Sequence, residues 1–221
     1  MSQSNAFPRT LLPLFTDPNE DPAAWRDAVT SGAGTVAMLR LPATDQPTGW
    51  SALHKGIREL AAAGVQPLGH LSLGYAARPM SAVRAELTSW ASLAVPGVFL
   101  DHAPTSHSQL ELVVRTIAAA DHSGLERIVL NPGRLVNPVY RWLNATICTF
   151  EGSWSEYLTW SGEGAEEGDG HLVFGVPRPE LPLAHALVLA RGAGLHLITE
   201  QANAHSSPGP RDAAMPAARR G

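Results

Sequence analysis

Eight short apolar runs, separated by helical stretches, predict an α/β chain that closes as a compact (β/α)8 TIM barrel. Three observations carry this reading. The run ends recur at intervals of about 20 to 30 residues, the length of one strand plus one crossover helix. Several runs, such as Val98-Phe99-Leu100 and Ile128-Val129-Leu130, are apolar without alternation, as strands covered on both faces are. No run leads into a Gly-x-Gly-x-x-Gly turn, which weighs against an open doubly wound sheet, the second fold considered.

The predicted strands are Leu11–Thr16, Thr35–Leu41, Gln66–Leu73, Gly97–Asp101, Arg127–Asn131, Thr146–Glu151, His171–Val176 and Leu195–Thr199. Between the first two, Asp21 followed by Pro22 offers a cap and a proline for the first helical turn. From Trp50 to Ala63, Trp50, Leu53, Ile57 and Leu60 form a stripe of helical period that stops at Gly64. Met80 to Leu93 repeats it through Val83, Leu87 and Trp90, and Leu110 to Ala120 through Val113 and Ile117. Leu183 to Ala190 makes a last helix that closes at Gly192. Gly152 to Gly170 lacks such a period and reads as a long loop. The barrel is expected to occupy residues 8–201, with residues 202–221, rich in Ala, Ser, Pro and Arg, as a disordered tail.

Composition narrows the function. The chain of 221 residues is 44% hydrophobic, enough for a sizeable core, and carries a formal charge of −4. Lys55 is its single lysine, and no run of cations stands ready for phosphates, so a nucleic-acid partner is not expected. The lone Cys148 lies in an apolar run and reads as core filler, with no internal disulfide open to it. No stretch suits a membrane helix or a signal peptide. A cytosolic location is therefore expected, or a secreted one should the true start lie upstream.

Barrel chemistry sits at the C-terminal ends of the strands. Those ends carry Thr16 and Asp17, Arg40, His70 with Tyr75 and Arg78 beyond it, Asp101-His102, Asn131, Glu151, and Thr199-Glu200. Asp101 and Glu151 are the candidate catalytic pair. An acid ending an apolar strand is desolvated, which raises its pKa, and a neighbouring carboxylate raises one of the two further. Glycosidic cleavage uses that division between a protonated acid and an ionised partner. Arg40 or Arg78 is expected to hold one carboxylate ionised. The other reading of each acid alone is a salt bridge or cap at the rim. Trp154, with Tyr157 and Trp160, either stacks on sugar rings or anchors the loop after the sixth strand. His102 and His107 match no zinc spacing, and no Gly-x-Ser-x-Gly elbow accompanies the Asp-His pair, so neither a metal nor a cofactor is expected.

In order, Leu12-Pro13-Leu14-Phe15, Gly69-His70-Leu71-Ser72-Leu73-Gly74-Tyr75-Ala76-Ala77-Arg78, Gly97-Val98-Phe99-Leu100-Asp101, Val129-Leu130-Asn131-Pro132-Gly133 and Thr149-Phe150-Glu151 resemble the spherulation-specific family 4 (spherulin 4-like) proteins. The resemblance spans residues 11–200. It implies a (β/α)8 glycoside hydrolase related to endo-α-1,4-galactosaminidases, acting on galactosamine-containing polysaccharide, with Asp101 and Glu151 matching the family's presumed catalytic carboxylates. Arg40, His70, Tyr75, Arg78, His102, Asn131, Trp154 and Glu200 would bind substrate or tune the acids. This chain departs from the family at His70, Leu73, His102 and Phe174, and after its second strand at Leu41-Pro42-Ala43-Thr44. Three functions stay open: an amino-sugar glycoside hydrolase, a non-catalytic glycan-binding barrel, and a barrel acting on another small molecule.

Overall fold

In the computed structural model, which describes residues 9–42 and 47–202, the eight apolar runs form parallel strands closed into a barrel in sequence order. They are β1 (Arg9–Leu14), β2 (Thr35–Leu39), β3 (Gln66–Ser72), β4 (Gly97–Asp101), β5 (Arg127–Asn131), β6 (Thr146–Ser153), β7 (Gly170–Phe174) and β8 (Leu195–Ile198). Closure is made by β8 on β1, where Arg9 pairs with Leu195 and Thr10 with His196. The helices are α1 (Pro22–Ser31), α2 (Pro47–Ala62), α3 (Met80–Ser92), α4 (Leu110–His122), α5 (Trp154–Thr159) and α6 (Leu181–Ala190). A 3-10 turn at Pro138–Trp142 takes the place of a full helix between β5 and β6, which is how the barrel stays small. Apart from Ala202, the expected tail lies outside the described residues. None of the described helices is long and apolar enough to cross a membrane.

Strand alternation sorts the apolar residues into two shells. Leu11, Val36, Met38, Leu68, Phe99, Val129, Cys148, Leu172 and Leu197 fill the barrel interior. The intervening residues, among them Leu12, Ala37, Leu71, Leu100 and Ile147, pack outward against Trp25, Leu60, Leu87, Trp90 and Val113. Covered on both faces, the strands have to be apolar throughout, which is why they were readable as unbroken runs. Asp21 caps α1 as expected, accepting the Ala24 N–H at 3.0 Å. Where helix meets sheet most closely, side chains vanish. A Cβ on Gly69 would lie 2.2 Å from the ring of the fully buried Trp90.

The expected loop from Gly152 to Gly170 needs correction. Strand β6 runs on through Ser153, and α5 follows at once. The Ser153 hydroxyl accepts the Glu156 N–H while the Glu156 carboxylate accepts the Ser153 N–H, a reciprocal capping box. Its signature, Ser153-Trp154-Ser155-Glu156, is present in the sequence. The helix is only six residues long, too short to show a helical period.

Outward from β7 and β8, His171 and His196 are buried side by side in register. Tyr157 Oη lies 2.9 Å from His171 Nδ1, and Thr10 Oγ1 lies 3.4 Å from His196 Nε2. Burial pushes each imidazole down to about 4 from 6.5, so the fold holds both rings neutral. Between pH 6.5 and about 4 the unfolded chain therefore takes up protons that the folded chain excludes. Stability is full above that window and declines as pH falls through it. The urea midpoint followed by circular dichroism should drop across this range, and His196→Gln should flatten the drop. A second outcome concerns packing: Gly69→Ala, which drives a methyl into the Trp90 ring, should lower unfolding free energy by about 2–3 kcal/mol in the same assay.

Candidate active site

The inward residues at the C-terminal ends of β3 to β6 converge. In-register pairing sets Ser72 beside Asp101 and Asp101 beside Asn131. Asp101 is 6% exposed and Asn131 2%, so their polar groups must find partners within the protein. Asp101 Oδ1 accepts the backbone N–H of His102 at 2.8 Å and the Asn131 amide at 2.9 Å. Oδ2 faces His70 Nε2 at 3.1 Å, and that nitrogen carries the proton, because an ionised carboxylate only accepts.

Glu151 reaches this group through an irregularity in β6. Cys148 pairs with Gly170 and Phe150 with His171, which leaves Thr149 as an extra residue, a β-bulge. Cys148 faces the barrel interior, whereas Phe150 packs outward with Trp154 and Tyr157. Strict alternation from Cys148 would have turned Phe150 inward and Glu151 out to the helices. The bulge reverses this. Glu151 Oε2 accepts the Asn131 side-chain amide at 2.8 Å.

One nitrogen, Asn131 Nδ2, thus donates to both carboxylates. The two oxygens can be no farther apart than the sum of those two hydrogen-bond lengths. With each taking one of the amide's two N–H bonds, they stand about 5 Å apart. The amide cannot flip, since Asn131 Oδ1 accepts the Gly133 N–H at 3.2 Å. Gly133 has φ +70°, and a Cβ there would come 3.0 Å from Glu151 Oε2, so the Asn-Pro-Gly turn leaves room for the glutamate.

Burial acts in the expected sense on Asp101, raising its pKa. It is outweighed by the hydrogen bond and charge of His70, the charge of His102 and the His102 N–H, which together hold the carboxyl below 3.8. The rise expected from burial alone is therefore not the net outcome at Asp101, whose carboxyl is favoured in its ionised form. The expected role of the arginines is corrected as well. Arg78 donates to the Ser72 carbonyl at 2.6 Å and to Glu86 at 2.8 Å. Arg40 is exposed and lies 4.4 Å over the Phe15 ring, whose edge meets His70 at 5.4 Å. The side chains beside Asp101 are histidines, His70 at 3.1 Å and His102 at 3.7 Å from Oδ2.

Tyr75 and His102 form one wall of the site. Both hold left-handed backbone, φ 51° and 49°, and the Tyr75 N–H donates to the His102 carbonyl at 2.7 Å. Their rings sit 5.1 Å apart, with Tyr75 53% exposed. His102 Nδ1 lies 2.9 Å from Ser72 Oγ. Strain in residues other than glycine persists where the surroundings over-determine it, and such sites tend to be functional. Glu200 is half-buried just beyond β8. Trp154 does not face this group. It is 5% exposed, packed with Phe150 and Tyr157, and its indole N–H is donated to Glu180 at 2.6 Å. Of the two roles open to it, the aromatic set anchors α5, and Trp154 has no free face for a sugar. Sequence reasoning missed Ser72 and Phe15. Ser72 could have been found by alternation from His70; Phe15 ends the stretch Leu12-Pro13-Leu14-Phe15 that carries the resemblance, but nothing there marked it as a site residue.

Known proteins share this architecture. Sph3 of Aspergillus clavatus, solved in complex with GalNAc, superposes with a TM-score of 0.71 at 19% identity over 89% of this chain and 90% of that one. The 3-dehydroquinate dehydratase of Aquifex aeolicus VF5 gives 0.52 at 13% identity over 89% and 94%. At such identities the likeness is one of fold. Spherulin-4 of Physarum polycephalum is 28% identical over 165 residues, covering 69% of this chain and 48% of that protein, so the chain spans about half the length of this relative. Residues 9–204 match the sequence model of Spherulation-specific family 4, and the chain belongs to that family.

Proposed function

We propose that the protein is a glycoside hydrolase acting on an amino-sugar-containing polysaccharide or oligosaccharide through Asp101 and Glu151. The observation that carries this is the Asn131 amide shared by the two carboxylates. The two oxygens that share this amide, about 5 Å apart, favour the retaining arrangement of about 5–5.5 Å over the inverting one of roughly 6.5–9.5 Å. The GalNAc bound by Sph3 supports an N-acetylated amino sugar as the substrate class.

The roles follow from the environments. Asp101, buried and held ionised, attacks the anomeric carbon as its leaving group departs, or stabilises the positive charge that develops there. Exposed Glu151 gives its proton to the leaving oxygen, then takes one from the water that releases the sugar. His70 and the His102 N–H keep Asp101 oriented and charged. Tyr75, exposed at the rim, offers a ring face to a sugar.

One observation favours a second reading, a glycan-binding barrel without turnover. Both Asp101 oxygens already accept hydrogen bonds from the protein, which is costly for a nucleophile. Binding of a GalNAc oligosaccharide by calorimetry, with no reducing ends released over days, would establish that reading instead.

Under the hydrolase reading, Glu151→Gln should slow turnover about 10²- to 10⁴-fold. Asp101→Asn should lose at least as much, with both variants retaining the wild-type circular dichroism spectrum. Unchanged reducing-sugar release in either would end the proposal. Proton NMR of the first product formed should show the anomeric configuration of the substrate. His70→Phe, a ring accommodated between Phe15 and Phe99, removes the largest interaction lowering the Asp101 pKa. The acid limb of kcat/KM that Asp101 sets should then move to higher pH.

A further inference from the structure

A large opening lies at the other end of the barrel from the carboxylates. It is a cavity of about 1130 Å³ at the N-terminal ends of the strands. Its inner wall is the barrel interior itself, reached at Val36, Leu68, Val129 and Leu195. The N-terminal face of a barrel ordinarily serves stability and is closed by packed side chains. Here it is open, and two cations stand in it.

Arg9, the first residue of β1, and Arg127, the first of β5, both line this space. Arg9 donates to the side-chain oxygen of Gln66, which fixes its guanidinium. Glu126 and Glu167 also line the cavity, both exposed. Among the described residues, neither they nor any other acid pairs with Arg9 or Arg127. The two guanidiniums oppose each other instead. Burial and the Arg9 charge both push the Arg127 pKa down, although it stays a cation at neutral pH. Residues 1–8, immediately before Arg9, contain no acidic side chain.

We propose that this cavity binds a small oxyanion, a phosphate or carboxylate group of a compact polar molecule, held between Arg9 and Arg127. The guanidinium fork matches such oxygens two at a time, and a charge-assisted pair is stronger than a neutral hydrogen bond. Gln66 and Asn144 supply neutral polar groups from the same lining, and the apolar inner wall takes the body of the ligand. The site is separate from the Asp101–Glu151 pair and independent of what that pair does.

The test is titration calorimetry on the full chain at constant ionic strength, with inorganic phosphate in one arm and citrate in the other. Saturable binding in the millimolar range or tighter is expected for at least one, and the preferred arm tells phosphate from carboxylate chemistry. Arg127→Gln should weaken it at least tenfold, and Arg9→Gln likewise. Asp101→Asn should leave it unchanged, which keeps failure here distinct from failure of the hydrolase reading. Because Arg127→Gln relieves repulsion between like charges, it should unfold no lower than the wild type in oxyanion-free buffer, showing an intact fold. No saturable heat in either arm, or equal affinity in the wild type and Arg127→Gln, would overturn the proposal.

Discussion

The arrangement at the C-terminal mouth depends on one amide. Were both carboxylates ionised, about 5 Å apart, they would repel by about 3 kcal/mol at an effective dielectric near 20. Asn131 sets one N–H against each of them, and hydrogen bonds to charged groups contribute about 1.5–3 kcal/mol apiece. The two bonds are thus large enough to offset the repulsion. Their direction is settled elsewhere, by the Gly133 N–H holding the amide oxygen. A backbone turn after β5 thereby orients side chains carried by β4 and β6. An aspartate at position 131 would fit the same space and reverse the sign of both interactions.

The histidines give the pair its asymmetry. His70 and His102 both act on Asp101, from β3 and from the residue after β4. Glu151, exposed, takes the other N–H of the same Asn131 amide. The same residue types serve opposite ends elsewhere in the molecule. His171 and His196 sit outside the barrel, where burial strips them of charge. Beside an aspartate a histidine can supply charge, while among aromatic and apolar neighbours it cannot. Position relative to the sheet decides which.

Much of the barrel was legible because covered strands must be apolar on both faces, so Val98-Phe99-Leu100 announces itself. Asp101 and Asn131 were legible for the same reason, each being the first polar residue after such a run. The partner of Asp101 was harder. Arginine is the usual guess for holding a carboxylate ionised, but Arg78 turns away to Glu86 and the Ser72 carbonyl. The direction of the Asp101 shift could not be read because it is a balance: burial alone predicts a rise, and only coordinates show four stabilising contacts on one side chain. Glu151 was read as a strand-end acid, whereas β6 runs on through Ser153, and its inward direction rests on Thr149 having no partner in β7. Nothing in Cys148-Thr149-Phe150 marks a bulge.

That bulge links the site to the core. It leaves Thr149 buried at 2% exposure with its hydroxyl oxygen unpartnered, a cost of about 1–3 kcal/mol for a buried polar group. Tyr75, Ala76 and His102 add left-handed backbone at about 1–3 kcal/mol each. These costs do not spread through the barrel; they fall on β6 and on the segments after β3 and β4. Those are the segments that aim Glu151, Tyr75 and His102 at the space beside Asp101. The interior beneath them, from Phe99 to Leu172, keeps regular alternation and full burial. Strain is tolerable at the mouth because the layers below do not share it. This division explains how one closed sheet can hold two acids in opposition and still fold.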